Sequence, residues 1–364
     1  MASTGTSNDT PLAQDKTVVS FLGPLASYSH QATTALFPGQ GWDLAPVPTI
    51  RGVFDAVQAG TATYGVVPFE NSTHGVVTFT LDCLGDRAAE YAGVSVCAEH
   101  YLDVHHFLLG RLDPSSTTTT TAAATTTATE KRERGKPLAS LAHVRHVYSH
   151  PQAFGQTSRF AAAYLSHAEL TDVSSTSRAA ELAAADTEGA SAAIASEAAA
   201  APNGLDVLAA CIEDREDNTT RFLVIRKGDD DATGAGPSSS APPSVTAAAT
   251  ATASTTCPPP PPPPPPQQNI PPPPGTSKSL VSFTVPHRSP GSLADVLQCF
   301  RRAGLNLTSI NSLPSLIRPF QYLFFVEFEV EAAADAREKV AAVLADVRRV
   351  AHGSRWLGSW ESRR

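Results

Sequence analysis

Four polar clusters in this chain carry side chains that could grip a negatively charged molecule. They are Gly23-Pro24-Leu25-Ala26-Ser27-Tyr28-Ser29-His30 and Glu70-Asn71-Ser72-Thr73-His74-Gly75. The others are Ser149-His150-Pro151-Gln152, with Gln156 one helical turn beyond, and Asn218-Thr219-Thr220-Arg221-Phe222. Amides, hydroxyls, one arginine and several helix starts suit a small organic anion, because the free N–H groups of a first helical turn favour negative charge. None of the four holds a charged nucleophile–base pair, a P-loop or a dinucleotide fingerprint. Each also has a plain structural reading. Ser27 and Ser29 suit a helix cap, Glu70 and Asn71 a turn, and Arg221 a salt bridge. His143, His146 and His150 are spaced like metal ligands, but loop gives way to strand there and the three need not share a face, so no metal is expected. Cys97 near His100, and the His105-His106 pair, read as a strand end and partly buried core. The run from Glu213 to Asp217 reads as a solvated turn.

Such clusters need a frame to bring them together. The body alternates β-branched runs with helical patterns. Strands are predicted at Thr17–Leu22, Asp43–Val47, Tyr64–Val67 and Arg145–Ser149, with extended material over Val94–Leu109. A helix is predicted over Tyr28–Leu36. A second begins at the cap Thr49, buries Ile50, Val53, Phe54 and Val57 on one face, and stops at Gly60. This order implies an α/β fold with mainly parallel sheets, whose ligands bind beyond the carboxyl ends of the strands. Farther on, strands at Ser279–Val285, Leu305–Ile310, Tyr322–Glu329 and Arg355–Trp360 alternate with helices at Gly291–Ala303 and Ala332–Val347. That β-α-β-β-α-β order is the ferredoxin-like split unit, with one sheet face under helices and the other available for pairing.

Composition sets the outer bounds. Of 364 residues, 41 % are hydrophobic and 17 % charged, enough for ordinary cores. The formal net charge of −8 argues against nucleic acid or an acidic membrane as partner. The polar start has no apolar signal core, and no apolar run approaches membrane-spanning length. Five cysteines, odd in number and far apart, suggest reduced thiols rather than a disulfide framework. A soluble cytoplasmic protein is the expectation. Thirteen of the 30 prolines lie between Pro258 and Pro274, as in a polyproline II spacer or a dock for a polyproline-binding partner. The Thr/Ala-rich stretch at 114–129 cannot offset its ordering entropy by burial. The organisation read from these shifts is a disordered tail over 1–16 and a body over 17–228 with a disordered insertion at about 112–137. A disordered linker over 229–277 and a module over 278–364 complete it.

Taken in order, the clusters resemble the prephenate dehydratase family. Gly23-Pro24 with Tyr28-Ser29-His30-Gln31-Ala32 resembles its opening motif. Val67-Pro68-Phe69-Glu70-Asn71-Ser72, with Gly75 and Thr80-Leu81-Asp82, resembles the second. Ser149-His150-Pro151-Gln152-Ala153 with Gln156 resembles the third, and Thr220-Arg221-Phe222 the fourth. The module over 278–364 resembles the ACT domain that follows the catalytic part. The resemblance implies a two-subdomain catalytic body like a type II periplasmic binding protein, with the site between the subdomains. It also implies conversion of prephenate to phenylpyruvate, CO2 and water in phenylalanine biosynthesis, without metal or cofactor. On the same ground Thr220, Glu70 and Asn71 are expected to be catalytic, with Thr220 assisting loss of the hydroxyl and Glu70 relaying its proton. Ser29, Ser149, Gln156, Arg221 and Phe222 are expected to bind substrate. Gly291, Ser292, Leu293, Asn306 and Leu307 are expected to bind phenylalanine as a feedback effector, in a homo-oligomer.

Two departures from the family pattern stand out. Where the ACT segment usually reads Glu-Ser-Arg-Pro, this chain has Asn311-Ser312-Leu313-Pro314, so weakened inhibition is expected, with Arg318 the nearest substitute cation. The third motif continues Gly155-Gln156-Thr157 where Gln-Cys is usual at the last two positions. Only about sixteen residues precede the first strand, too few for a chorismate mutase domain. Arogenate dehydratase and a non-catalytic amino-acid sensor are the alternatives that the motifs leave open.

Overall fold

The computed structural model describes residues 16–113, 133–228, 275–286, 288–331 and 335–363. The expected tail, the Thr/Ala-rich stretch and the proline tract therefore lie outside the described residues. The first lobe is built from β1 (Thr17–Leu22), α1 (Tyr28–Leu36), β2 (Trp42–Val47), α2 (Ile50–Ala59), β3 (Tyr64–Asn71), β4 (Gly75–Val76), α3 (Thr78–Gly85) and β5 (Val94–Asp103). The chain then crosses into a second lobe made of β6 (Phe107–Gly110), β7 (His146–Ser149), α4 (Pro151–Gln156), α5 (Ser158–Tyr164), β8 (Glu169–Asp172), α6 (Thr176–Ala185), β9 (Ser191–Ala195) and β10 (Asp206–Ala209). It returns through β11 (Thr219–Lys227). The C-terminal module follows, with β12 (Thr276–Thr284), α7 (Ser292–Arg302), β13 (Asn306–Pro314), β14 (Tyr322–Glu331), α8 (Ala336–Val350) and β15 (Gly353–Glu361).

The helices begin where side chains can satisfy their first N–H groups. Ser27 accepts from the His30 amide at 3.2 Å and opens α1. Thr49 accepts from the Gly52 amide at 3.0 Å, and Gly60 ends α2 in the left-handed region at φ 74°. Between these stops Val53, Phe54 and Val57 are fully buried, each stabilising by about 1.5–3 kcal/mol.

The sheets are mixed rather than mainly parallel. β1 pairs in parallel with β2 and β3, but β11 is antiparallel to both β3 and β5. The cause is the two-lobe path: β5 carries the chain out of the first lobe, so the returning β11 must run against it. The second lobe has the order β10-β6-β9-β7-β8, with β6 antiparallel to both neighbours.

The module has the expected β-α-β-β-α-β order, and its four strands are arranged β13-β14-β12-β15. Its helices cover one face, where Val281, Phe283, Val326 and Phe328 pack with α7 and α8. The other face is not left for pairing. Leu280, Phe325, Leu357 and Trp360 share a core with Phe69, Leu81 and Leu84 of the first lobe. β15 also meets β5 at Gly358 opposite Val96, which merges module and first lobe into one ten-stranded sheet. Gly358 has φ 135°, and a Cβ there would lie 2.1 Å from the Val96 carbonyl oxygen, so only glycine permits the approach.

Two further expectations need correction. Residues 133–137, placed in the disordered insertion, dock on the hinge: Gly135 donates to the Ala210 carbonyl at 3.0 Å, and Pro137 bridges Ala209. Cys83, Cys97 and Cys299 are free, but Cys211 is disulfide-bonded. Spacing along a sequence says little about which sulfurs the fold brings within bonding distance.

Candidate active site

β11 and β3 lie side by side with Thr220 opposite Asn71. The Asn71 amide is almost wholly buried and fully used. Its Nδ2 donates to Thr220 Oγ1 at 3.0 Å and to Asn218 Oδ1 at 2.9 Å. Its Oδ1 accepts from the Thr73 and His74 backbone amides at 3.0 and 3.1 Å. Because Asn71 donates to the Thr220 oxygen, the threonine's own hydroxyl proton is free to point into the cleft.

The second lobe reaches this pair through α4. Gln156 places Nε2 3.2 Å from His74 Nδ1, and its Oε1 lies 2.7 Å from His106 Nε2. His106 Nδ1 is 2.8 Å from the Tyr28 hydroxyl on α1. Burial pushes the His106 pKa down and keeps the ring neutral, and burial followed by the Glu213 charge pushes the Tyr28 phenol well up. One continuous set of hydrogen-bonding side chains thus runs from Thr220 across the cleft and back to α1.

The hinge is clasped just behind. Glu213 is buried, not solvated. It accepts from His105 Nδ1 at 2.9 Å and the His106 amide at 2.8 Å, and pairs with Arg134 at 3.0 Å. Burial alone would raise its carboxyl pKa, but these donors hold it below the usual range, and the same bond raises His105. Cys211, His105 and Glu213 bring potential ligand atoms within 4.8 Å of one another. The Cys211 sulfur is already in a disulfide and the Glu213 oxygens are taken, so the donor set does not fit a metal. His143, His146 and His150 are separately engaged, with the Arg111 carbonyl, Glu169 and the start of α4.

Strand alternation sends the neighbours of Thr220 and Asn71 to the opposite face. Arg221 is buried there and pairs with Glu99 at 2.6 Å and with Glu327 of the module at 2.5 Å. Lys278 adds a second cation 3.3 Å from Glu99, and Thr308 on β13 donates to Glu327 at 2.7 Å. Arg221 also lies over the rings of Phe69, Tyr101 and Trp360. Burial would lower the guanidinium pKa, but the two carboxylates raise it, while Arg221 and Lys278 hold Glu99 low. The expected carboxylate clamp is therefore a structural ion pair.

Glu70 belongs to this same side, 4.0 Å from Arg221, and stands apart from the Thr220–Asn71 pair. Phe222 is buried in the core of the first lobe beside Phe21 and Val224, not at the cleft surface. Ser149 is fully buried and donates to the Ile194 carbonyl at 2.7 Å. Ser29 is buried within α1, and its neighbour Ser27 is the cap. Of the expected residues, the structure gathers Thr220, Asn71 and Gln156. His74, His106 and Tyr28 join them, none of which the sequence reading chose.

The module carries a separate cavity of about 250 Å³. It is lined by Gly291, Ser292 and Leu293 at the start of α7, together with Gln321, Tyr322 and Phe324. The Gln321 Oε1 atom is buried without a hydrogen-bond partner among the described residues. Asn306 and Leu307 lie away from it on β13, where Asn306 bonds Glu329 and Leu307 packs on the module core. Leu313 packs against the core shared with the first lobe.

Fold and site define a two-lobed α/β protein with polar side chains meeting across the cleft between its lobes and a β-α-β-β-α-β module joined to the first lobe. A family model for prephenate dehydratase matches residues 19–230, and the chain belongs to that family. The bifunctional chorismate mutase/prephenate dehydratase of Aquifex aeolicus is 30% identical over 95% of this chain and 74% of its own length. The probable prephenate dehydratase of Saccharomyces cerevisiae is 28% identical over 86% of this chain and 87% of its own. Among solved structures, the prephenate dehydratase of Arthrobacter aurescens in complex with L-Phe superposes with a TM-score of 0.69. It is 24% identical and covers 95% of this chain and 90% of that one.

Proposed function

We propose that this chain catalyses the decarboxylating dehydration of prephenate to phenylpyruvate in phenylalanine biosynthesis. The observation that carries this reading is the Thr220–Asn71 pair facing Gln156 across the cleft, a set of uncharged donors in a chain of this family. Prephenate loses its ring carboxylate as CO2 and its 4-hydroxyl as water, and aromaticity supplies the driving force. The enzyme must fix the ring so that the two departures are concerted, and stabilise negative charge as it forms on the leaving oxygen. A threonine hydroxyl held by Asn71 is a preorganised donor for that oxygen. Gln156, tethered through His106 to the first lobe, orients substrate from the other side and favours lobe closure, which excludes water.

The module cavity is the effector site of this reading. An amino acid would direct its ammonium to the orphan Gln321 oxygen and its carboxylate to the α7 amides, with Phe324 and Leu293 against an aromatic side chain. Exposed Leu316, Ile317 and Phe320 beside it favour a homo-oligomer that shields them. A cytoplasmic location agrees with the absence, among the described residues, of any helix long and apolar enough to cross a membrane. The polyproline dock falls outside the described residues. Purified protein given prephenate or arogenate, with phenylpyruvate or phenylalanine followed over time, tests the activity. Turnover of prephenate is expected. Turnover of arogenate alone would make the chain an arogenate dehydratase, and binding without turnover a sensor.

A further inference from the structure

The hydroxyl that leaves prephenate must acquire a proton, and threonine is too weak an acid to be its source. Glu70, the acid that the motif suggested, faces Arg221 on the other side of the sheet. We propose that His74 is the proton donor, an inference that rests on the dehydratase reading above. His74 is exposed in the turn between β3 and β4, and its ring reaches across the cleft. Its Nδ1 lies 3.2 Å from Gln156 Nε2 of the second lobe and 3.3 Å from Asn71 Oδ1 of the first. Both neighbours are uncharged. Asn71 in turn donates to Thr220, so His74 is one residue removed from the threonine that faces the leaving group.

Asn71 sets the proton count at His74. Its Oδ1 can only accept, and at 3.3 Å it favours a proton on His74 Nδ1. Behind them, the Tyr28 hydroxyl donates to the His105 carbonyl at 2.9 Å and lies 2.8 Å from His106 Nδ1, while His106 Nε2 lies 2.7 Å from Gln156 Oε1. With Nδ1–H directed to Asn71, the second proton of the imidazolium is on Nε2, the side left for the substrate.

In the reaction, the electron pair of the bond between ring and carboxylate moves into the ring as CO2 departs. The ring's bond to oxygen breaks with its pair on oxygen, and that oxygen takes the Nε2 proton and leaves as water. His74 is left neutral, with its remaining proton toward Asn71, and is reprotonated by solvent, to which it is open. Prephenate dianion and one proton thus give phenylpyruvate monoanion, CO2 and water.

His74→Ala and His74→Gln, both at an exposed turn, test this with prephenate as substrate. Each should lower kcat by ~10²-fold or more while KM moves less than about threefold. Added imidazole should restore His74→Ala by at least about tenfold, a rescue that a merely structural residue would not show. An active wild type whose His74→Ala variant keeps its kcat, or whose loss imidazole does not relieve, overturns the assignment while leaving the dehydratase reading standing. A wild type inert on prephenate overturns both.

Discussion

Two neighbouring residues of β11 are put to opposite uses. Thr220 faces the cleft half-buried, its oxygen accepting from Asn71 and its hydroxyl left as a hydrogen-bond donor. Arg221, the next residue, faces the module in a buried set of two cations and two carboxylates. The Thr220–Asn71 pair at the cleft face is joined by neutral hydrogen bonds and contains no buried ion pair. The rear face neutralises permanent charge and joins the module to the strand that carries the site. A motif of consecutive residues thus faces the cleft on one side and the module on the other, because a strand alternates.

The comparison can be broken from either side. Thr220→Ala should cost ~10²–10⁴ in kcat with little change in KM or melting temperature, and Thr220→Ser should recover much of it. A Thr220→Ala enzyme at near wild-type rate in the prephenate assay would remove Thr220 from the chemistry. Arg221→Leu should act on stability, by about 3–5 kcal/mol, since it leaves Glu99 and Glu327 buried with one cation too few. Denaturant titration reads this, and an unchanged midpoint would show the pair to be dispensable.

Two smaller effects sharpen the contrast. Gln321→Leu should weaken phenylalanine binding about tenfold, as expected for one hydrogen bond to a charged group, without touching prephenate turnover. Calorimetric titration of phenylalanine measures it, and unaltered binding would place the ammonium elsewhere. The smallest effect concerns the hinge. The Glu213 bond raises the His105 pKa above its ordinary 6.5. The stability it adds is full below the unfolded value and fades as pH rises through the folded one. The wild type should therefore exceed His105→Gln in melting temperature by about 1–2 °C near pH 5.5 and by less near pH 8.5. A gap that grows with pH would contradict the pairing.

How much of this was legible varied with the range of the interaction. Local signals spoke clearly: Ser27, Thr49 and Gly60 bound their helices where capping chemistry says, and the module's strand and helix order follows its pattern. The Thr220–Asn71 pairing joins residues 149 apart, yet both stood out, since amides and hydroxyls in clusters are visible as such. The face of each was not. β3 reads Tyr64-Gly65-Val66-Val67-Pro68-Phe69-Glu70-Asn71 and is buried on both sides, so its sequence does not say which side is the cleft. Glu70 and Arg221 were consequently given to the substrate, whereas Arg221 pairs with Glu327 of the module and Glu70 lies 4.0 Å from Arg221 on that same side. His106 and Glu213 looked like filler and turn because their roles depend on a hinge formed by two distant crossings.

The meeting of Gly358 with Val96 has one more consequence. Alone, β15 and β5 would each present a row of unpaired backbone groups, the kind of border along which chains add to one another and aggregate. By closing on each other they leave β13 and β2 as the outer strands of the ten. A methyl group at position 358 would force the seam apart. Gly358→Ala should accordingly be felt less in catalysis than in how long the protein stays dispersed at high concentration.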